Sequence, residues 1–210
     1  MISRRMIEPR EPELAELAIA DPPERWQALG FDVEDGLLDI GGVRIRLGQA
    51  GHGITSWSLR RVNAMGSLDG LPTPVPKVLR PPPFATHPNG ATGLDHVVVV
   101  TPDFDRTATV LDRAGMPLKR THDTPAAGRQ GFRRVGPAIL ELVHAPDLEG
   151  PHARFWGLTV VVISLEQLAE RLGEHLGELR SAVQPGRRIA TLNASAGLTP
   201  AVAFMSPEPP

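Results

Sequence analysis

The sequence predicts an α+β protein that contains two βαβββ modules in tandem. The stretch GLDHVVVVTPD at 93–103 has a counterpart in FWGLTVVVISL at 155–165. Each run of β-branched residues, typical of a strand, is followed by an amphipathic helix and then by further short strands. A repeat of ~50–60 residues with the same order of elements indicates that one structural unit has been duplicated.

The composition indicates a soluble protein and excludes several classes of function. Of the 210 residues, 41% are hydrophobic and 22% charged, and the net charge of −2 gives no reason to expect a nucleic-acid partner. The absence of cysteine excludes disulfides and thiolate chemistry. The N-terminus lacks the apolar segment of a signal peptide, and no apolar run approaches the ~18 residues that cross a bilayer, so we expect a cytoplasmic protein without a membrane partner.

The first part of the chain predicts a shortened version of the same unit. After a tail at 1–13, residues 14–62 contain a strand candidate at 16–20 and a helix candidate at 23–30, followed by short alternating strands. Asp21 is expected to cap the helix, because a carboxylate there can accept hydrogen bonds from the free amides of the first turn.

Residues 63–91 are expected to form an extended connection rather than a core element. The stretch PTPVPKVLRPPPFATHPNG at 72–90 is rich in proline, which fixes φ and removes a backbone donor. A loop of this length is usually a lid or a linker between subdomains. We therefore expect it to run over one face of the protein.

The paired modules span 92–206 and divide into 92–148 and 155–206. In the first module a helix capped by Thr101 or Asp103 is expected after the opening strand, and three strand candidates follow it. In the second module the helix candidate LEQLAERLGEHLG has leucines at helical spacing, and three shorter strand candidates follow.

This order of elements resembles that of the vicinal oxygen chelate superfamily, which includes glyoxalase I, bleomycin-resistance proteins and extradiol dioxygenases. The resemblance rests on the strand LDHVVVV, the helix after it, the three strands that end in ILELV, and a second module of the same order. It covers 92–206 well and 14–62 weakly. It implies a U-shaped or barrel-like mixed sheet with flanking helices, whose inward side chains can hold a divalent metal.

The resemblance also implies where the metal ligands lie, on the first and last strand of each module. In the first module these positions correspond to His96 and Glu141, and imidazole and carboxylate are ligands for Fe, Mn, Ni or Zn. In the second module Thr159 takes the place of His96. The place of Glu141 falls, according to the register, on one of three residues that cannot bind a metal: Val202, Ala203 or Phe204. The expected ligand set is therefore incomplete.

His96 also has a structural interpretation, as a hydrogen-bonded histidine in a buried strand. Three residues elsewhere are candidates for a third ligand: Glu16, His122 and His144. Each is more simply interpreted as structural or solvated. His144 lies three residues beyond Glu141 on a strand, so its side chain is expected on the opposite face.

Two arginines and a tryptophan are candidates for substrate binding. Arg133 and Arg187 could hold an anionic group, because a guanidinium makes bidentate contacts with a carboxylate. Arg129 has the same chemistry, and for all three the alternative is the solvated face of a strand. Trp156 is expected in the core or in a pocket wall. His87, in the turn-forming sequence His-Pro-Asn-Gly, is a candidate for a pocket edge.

Three functions are compatible with the sequence. The first is a glyoxalase-like lyase, isomerase or dioxygenase that acts on a small oxygenated metabolite, with a divalent metal held by His96 and Glu141. The second is a metal-free protein that binds a small molecule, in the manner of bleomycin-resistance proteins. The third is a dimer-forming module without catalysis. Because the N-terminal unit has no second partner within the chain, it either extends the sheet of the paired modules or pairs with its copy in a homodimer. A homodimer is expected.

Overall fold

The computed structural model describes residues 11–63, 66–77, 80–124 and 128–209. Within these ranges the chain forms fourteen strands, three α-helices and two short 3-10 turns at Gly173–His175 and Ala194–Ala196. In chain order the main elements are β1 (Glu13–Ile19), α1 (Pro23–Ala28), β2 (Leu37–Ile40), β3 (Val43–Arg46), β4 (Ile54–Arg60), β5 (Gly66–Leu68), β6 (Leu71–Thr73), β7 (Ala91–Thr101), α2 (Phe104–Arg113), β8 (Arg120–Thr124), β9 (Gly128–Val135), β10 (Ala138–His144), β11 (Arg154–Val162), α3 (Leu165–Leu172), β12 (Arg180–Ser181), β13 (Arg188–Thr191) and β14 (Ala201–Met205).

The paired modules form one mixed sheet of eight strands in the order β12-β13-β14-β11-β7-β10-β9-β8. Each module pairs its first strand in parallel with its last strand, β7 with β10 and β11 with β14. The last strand of each module runs antiparallel to the strand before it. The first strands β7 and β11 pair antiparallel and so join the modules. This topology confirms the predicted α+β fold of tandem βαβββ modules in a mixed sheet.

The two module helices begin where the sequence has a capping residue. Asp103 accepts a hydrogen bond from the Arg106 amide at the start of α2, and Ser164 accepts one from the Gln167 amide at the start of α3. α3 ends at Leu172, earlier than the leucine spacing predicts, because the glycine that follows adopts a positive φ. No helix in the described ranges is long and apolar enough to cross a membrane.

The eight-stranded sheet has one buried face and one half-buried face. Residues on the buried face belong to the same core cluster as the leucines of α2 and α3, and on the two central strands they are Val97, Val99, Leu158 and Val160. Most intervening positions of β7 and β10 are half-buried, among them His96, Val98, Ile139 and Glu141. The valine run of β7 reads as uniformly apolar in the sequence, so only the packing distinguishes its two faces.

A second sheet, with strand order β2-β3-β1-β4, packs against the buried face. Its first strand β1 runs parallel to β3, so this N-terminal unit follows the pairing of the modules with one strand fewer, and β4 pairs antiparallel on the other side of β1. Phe31 stacks on Phe204 with ring centroids 6.2 Å apart, and Trp57 meets Phe155 edge-on at 5.4 Å. These aromatic contacts join the two sheets into one core.

The proline-rich connection is only partly the surface segment that its composition predicts. It contains the β5–β6 hairpin, whose Leu68 and Leu71 are at most 4% exposed. Further along, the buried ring of His87 accepts a hydrogen bond at Nδ1 from the Asp32 amide (3.1 Å) and donates one from Nε2 to the Asp39 carbonyl (3.1 Å). His87 therefore ties the connection to the N-terminal sheet.

Asp21 does not cap α1, contrary to the prediction. The N-cap is Pro22, without a side-chain cap bond, and Asp21 is 1% exposed. Its carboxylate accepts hydrogen bonds from the Thr199 amide (2.9 Å), the Thr199 hydroxyl (2.6 Å) and the Trp26 indole (3.3 Å). Thr199 of the second module thus binds the carboxylate that the local sequence assigns to the start of the helix.

Asp21→Ala is expected to lower the free energy of unfolding by about 2–4 kcal/mol, because the buried Trp26 indole and the half-buried donors of Thr199 lose their acceptor. Equilibrium unfolding in urea measures the change. Asp147→Ala is the matched control, since Asp147 is exposed; its effect is expected to stay within about 0.5 kcal/mol. Equal unfolding curves for the two variants would contradict the role given to Asp21.

Candidate functional site

A β-bulge in β7 places the side chains of Asp95 and His96 on the same face of the sheet. The pairing with β11 passes from His96 opposite Thr159 to Leu94 opposite Val160, so Asp95 is an extra residue in the ladder. Adjacent residues of a regular strand point to opposite faces, and a bulge redirects them. Asp95 Oδ1 therefore lies 3.0 Å from Nδ1 of His96, the next residue in the chain.

The other ring nitrogen of His96 faces both Glu141 and Thr159. Nε2 lies 3.4 Å from Glu141 Oε2 and 3.0 Å from the Thr159 hydroxyl oxygen. The register explains this meeting: His96 pairs with Ile139 on β10, Glu141 is two residues further on the same face, and Thr159 is directly opposite on β11. The side chains of His96 and Glu141 are each 15% exposed.

Polar contacts extend from this centre in both directions across the sheet. The Gln130 amide on β9 donates a hydrogen bond to Glu141 Oε1 (2.9 Å). On the other side, Arg187 Nη1 lies 2.7 Å from Asp95 Oδ2, and Arg187 Nε donates to the Ser206 carbonyl (2.9 Å). Arg187, Asp95, His96, Glu141 and Gln130 thus form a continuous polar chain across the half-buried face, which we call the His96 cluster together with Thr159.

The two carboxyl groups beside His96 have pKa values shifted in opposite directions. Burial raises the pKa of Glu141; its attraction to His96 opposes this, and the charge of Asp95 raises the pKa further. Burial also acts to raise the pKa of Asp95, but hydrogen bonds and charges from His96 and Arg187 outweigh it and hold that pKa below its usual value. Glu141 is thus the carboxyl that more readily holds a proton, whereas Asp95 stays ionised.

The side chains present do not complete a divalent metal site. His96 Nε2 and Glu141 are near enough to share an ion, and the Asp95 contact to Nδ1 is of the kind that orients a metal-binding histidine. Catalytic sites usually have three protein ligands, and the second module adds only Thr159 and, paired with it on β14, Ala203. Among the described residues no group of three imidazole or carboxylate side chains is arranged to hold an ion.

The substrate-binding candidates predicted from the sequence lie in three different places. Arg187 belongs to the His96 cluster, where its side chain is 5% exposed and its guanidinium pairs with Asp95. Trp156 is 57% exposed and lines a cavity that includes no residue of the cluster.

Arg133 is separated from the cluster by the sheet itself. It pairs with Leu140, whereas Glu141 pairs with Phe132, so Arg133 and Glu141 are directed to opposite faces. The Arg133 guanidinium instead forms an ion pair with Glu11. This position gives Arg133 no contact with a ligand held at His96.

The remaining candidates have structural partners outside the cluster. Glu16 forms an ion pair with Arg46 at 2.9 Å. His144 is half-buried and its Nε2 lies 3.3 Å from the Pro102 carbonyl oxygen. Two exposed or half-exposed side chains pack on aromatic rings instead: His122 on Phe132, and Arg129 on Phe104.

Sequence reasoning missed Asp95 and Gln130. The period of two assigns Asp95 to the face opposite His96, and nothing in the sequence marks the bulge that reverses this. Gln130 gives no signal of its own, because its role follows from the register of β9 with β10. The adjacency of Asp95 and His96 was the single usable signal, since a carboxylate next to a histidine can orient its ring.

No protein-family model matches the chain, and no curated protein matches it. Among solved structures, a methylmalonyl-CoA epimerase from Mycobacterium tuberculosis is 23% identical, with 57% of this chain and 91% of that chain covered and a TM-score of 0.48. A Streptomyces coelicolor methylmalonyl-CoA epimerase variant in complex with 2-nitronate-propionyl-CoA is 15% identical, with coverage of 56% and 96% and a TM-score of 0.46. A hypothetical protein from Bacillus halodurans is 17% identical, with coverage of 56% and 95% and a TM-score of 0.45.

These structural similarities do not indicate an activity, because the three sequence identities are below 25% and the three TM-scores are below 0.5. The fold follows instead from the strand order and pairing of the two modules. Paired βαβββ units joined through antiparallel first strands are the fold that the resemblance to the vicinal oxygen chelate superfamily implies.

Glu141→Gln is expected to gain stability relative to the unchanged protein as the pH rises. Because the folded pKa of Glu141 is raised above its ordinary value of 4.5, the folded chain binds this proton more tightly than the unfolded chain. The stability that the proton contributes is complete below the unfolded pKa and is lost as the pH rises through the folded pKa. Urea unfolding from about pH 4 to about pH 8 measures the difference.

The control for this prediction is Glu149→Gln, because Glu149 is exposed. Its stability is expected to follow that of the unchanged protein across the pH range. A stability difference between Glu141→Gln and the unchanged protein that is constant with pH would show that the Glu141 proton is not linked to folding.

Proposed function

We propose that the protein binds a small oxygenated metabolite on the half-buried face of its eight-stranded sheet. We further propose that His96 and Glu141 take a proton from that ligand and return one to it. The observation that carries the proposal is the 3.4 Å separation of His96 Nε2 from Glu141 Oε2, with the other ring nitrogen held by Asp95. General acid–base catalysis uses proton-transfer groups that are held in position beside the ligand. His96 and Glu141, held on one face of the sheet, are suited to that role.

Asp95 is the positioning residue of this arrangement. Its lowered pKa keeps it ionised, so it accepts a hydrogen bond from the Nδ1–H of His96 and leaves Nε2 as the reactive nitrogen. The negative charge of Asp95 also stabilises the imidazolium that forms when Nε2 takes up a proton. Arg187 holds Asp95 in turn, through the 2.7 Å ion pair.

Glu141 and Thr159 provide the complementary groups on either side of Nε2. The raised pKa of Glu141 brings its protonation equilibrium towards neutral pH, where a carboxyl group both accepts and returns a proton efficiently. The Thr159 hydroxyl, 3.0 Å from Nε2, can donate a hydrogen bond to a ligand oxygen instead. A carbonyl compound with an acidic neighbouring C–H fits these groups, which corresponds to lyase or isomerase chemistry.

The apolar residues around the cluster support a small ligand. Half-buried side chains on the same face of neighbouring strands are Val98, Ile139 and Ala203. Burial of a few ligand carbons against them contributes roughly 25 cal/mol per Å². Polar groups at one point and aliphatic groups around it are typical of sites for small metabolites.

The alternative function is binding without reaction. It is favoured by the contacts that His96 already makes, since Nε2 has both Glu141 and Thr159 within hydrogen-bonding or ion-pair distance. A histidine engaged in this way can serve as a fixed polar wall of a binding site. The two functions predict the same ligand face and differ only in whether a proton of the ligand exchanges.

Solvent exchange in D2O distinguishes the two functions without knowledge of the complete reaction. A panel of small oxo acids, hydroxy acids and their esters is incubated with the protein and followed by proton NMR. Proton transfer predicts protein-dependent incorporation of deuterium next to the carbonyl of at least one compound. His96→Ala and Glu141→Gln are expected to slow it by roughly 10²–10⁴-fold, as expected for loss of a general acid or base.

Glu149→Gln is the control and is expected to exchange at the unchanged rate, because Glu149 lies outside the cluster. Thermal stabilisation by a compound that shows no exchange would replace the catalytic proposal by the binding alternative. Stoichiometric Fe, Mn, Ni or Zn in the purified protein, lost in His96→Ala, would replace proton transfer by metal chemistry. Neither exchange nor stabilisation across the panel would contradict both functions.

A further inference from the structure

A cavity of about 470 Å³ lies at the seam between the N-terminal sheet and the paired modules. Its walls come from four separate segments: the loop before β4, the β5–β6 hairpin, the start of β11 and the loop before β14. No residue of the His96 cluster lines it. The volume is within the range of roughly 300–1,000 Å³ that small-molecule sites have.

The charged side chain in the cavity lining is a cation. Arg154 lines it, together with the imidazole of His52, and none of the lining residues is acidic. Among the described residues Arg154 pairs with no carboxylate. A guanidinium without a partner at a concave surface is suited to a carboxylate or another planar anion.

An exposed aromatic ring lies beside this arginine because of a second bulge. The pairing of β11 with β7 passes from Phe155 opposite Val99 to Gly157 opposite Val98, so Trp156 is an extra residue. Phe155 packs on the core residue Trp57, whereas Trp156 is 57% exposed and lines the cavity. A large exposed indole at a cavity wall is available for stacking on a flat ligand.

Hydrogen bonds and a glycine fix the backbone of the other walls. Thr199 donates to the buried Asp21 and accepts a hydrogen bond from the Gly53 amide (2.9 Å), which fixes the loop before β14 against the loop before β4. Gly70 has φ of 91°, and a Cβ there would lie 2.6 Å from the His152 Cβ, so this lining position requires glycine.

We propose that this cavity is a second ligand site, for a small aromatic carboxylate that pairs with Arg154 and stacks on Trp156. The ligand carboxylate forms an ion pair with the guanidinium of Arg154, and the ligand ring stacks on the indole of Trp156. The site is built from the N-terminal unit as well as the second module, so it exists only where the two pack together.

Benzoate is the probe for the test, and the indole N–H signals of the protein are the readout. Trp26 and Trp57 are at most 1% exposed, so the signal of Trp156, assigned with Trp156→Phe, is expected to shift alone and to saturate at millimolar benzoate. Arg154→Gln is expected to weaken benzoate binding about tenfold or more, because it removes the charged partner. Arg180→Gln, at an exposed arginine on β12, is the matched control and is expected to bind benzoate as the unchanged protein does.

Two further probes and one further variant separate a specific site at Arg154 and Trp156 from non-specific adsorption and from binding at the His96 cluster. Benzamide lacks the charge and cyclohexanecarboxylate lacks the aromatic ring, so each is expected to bind more weakly than benzoate. His96→Ala is expected to leave benzoate binding unchanged. The proposal is overturned if the Trp156 signal does not saturate, if Arg154→Gln binds as tightly as Arg180→Gln, if benzamide matches benzoate, or if His96→Ala abolishes binding.

Discussion

The antiparallel pairing of β7 with β11 is the contact on which the rest of the structure depends. It joins the two modules into one sheet and sets Thr159 opposite His96. The parallel pairing of β7 with β10 then places Glu141 two residues beyond the partner of His96, on the same face. Neither strand pair alone surrounds Nε2. The candidate site is therefore a property of the paired modules and not of either module by itself.

Irregularities in this one strand pair determine where functional side chains point. The bulge at Asp95 directs a carboxylate to the ring of its neighbour His96, and the bulge at Trp156 directs an indole out of the core. A regular ladder would have placed Asp95 and His96 on opposite faces. Bulges occur often beside functional sites because they redirect single residues without disturbing the rest of the sheet.

Both the stability and the chemistry of the His96 cluster depend on how its buried charges are paired. Asp95 and Arg187 have side chains at most 9% exposed, and an unpaired charge there would cost about 3–5 kcal/mol. Their ion pair avoids that cost and keeps Asp95 ionised beside His96. Among the described residues no arginine contacts Glu141, so burial dominates and raises its pKa. The same environment thus gives the two carboxyl groups different roles: Asp95 positions the ring of His96, and Glu141 transfers a proton.

The sequence by itself determined the order of elements in the two modules, because β-branched runs, capping residues and leucine spacing are local signals that each segment carries. Its resemblance to a known fold singled out His96 and Glu141. It could not determine the position of Asp95, since the bulge arises from register with a distant strand, nor the fate of Asp21, whose partner Thr199 is 178 residues away. Only the tertiary structure decided these contacts, because packing settles whether local amides or a distant donor bind the same carboxylate.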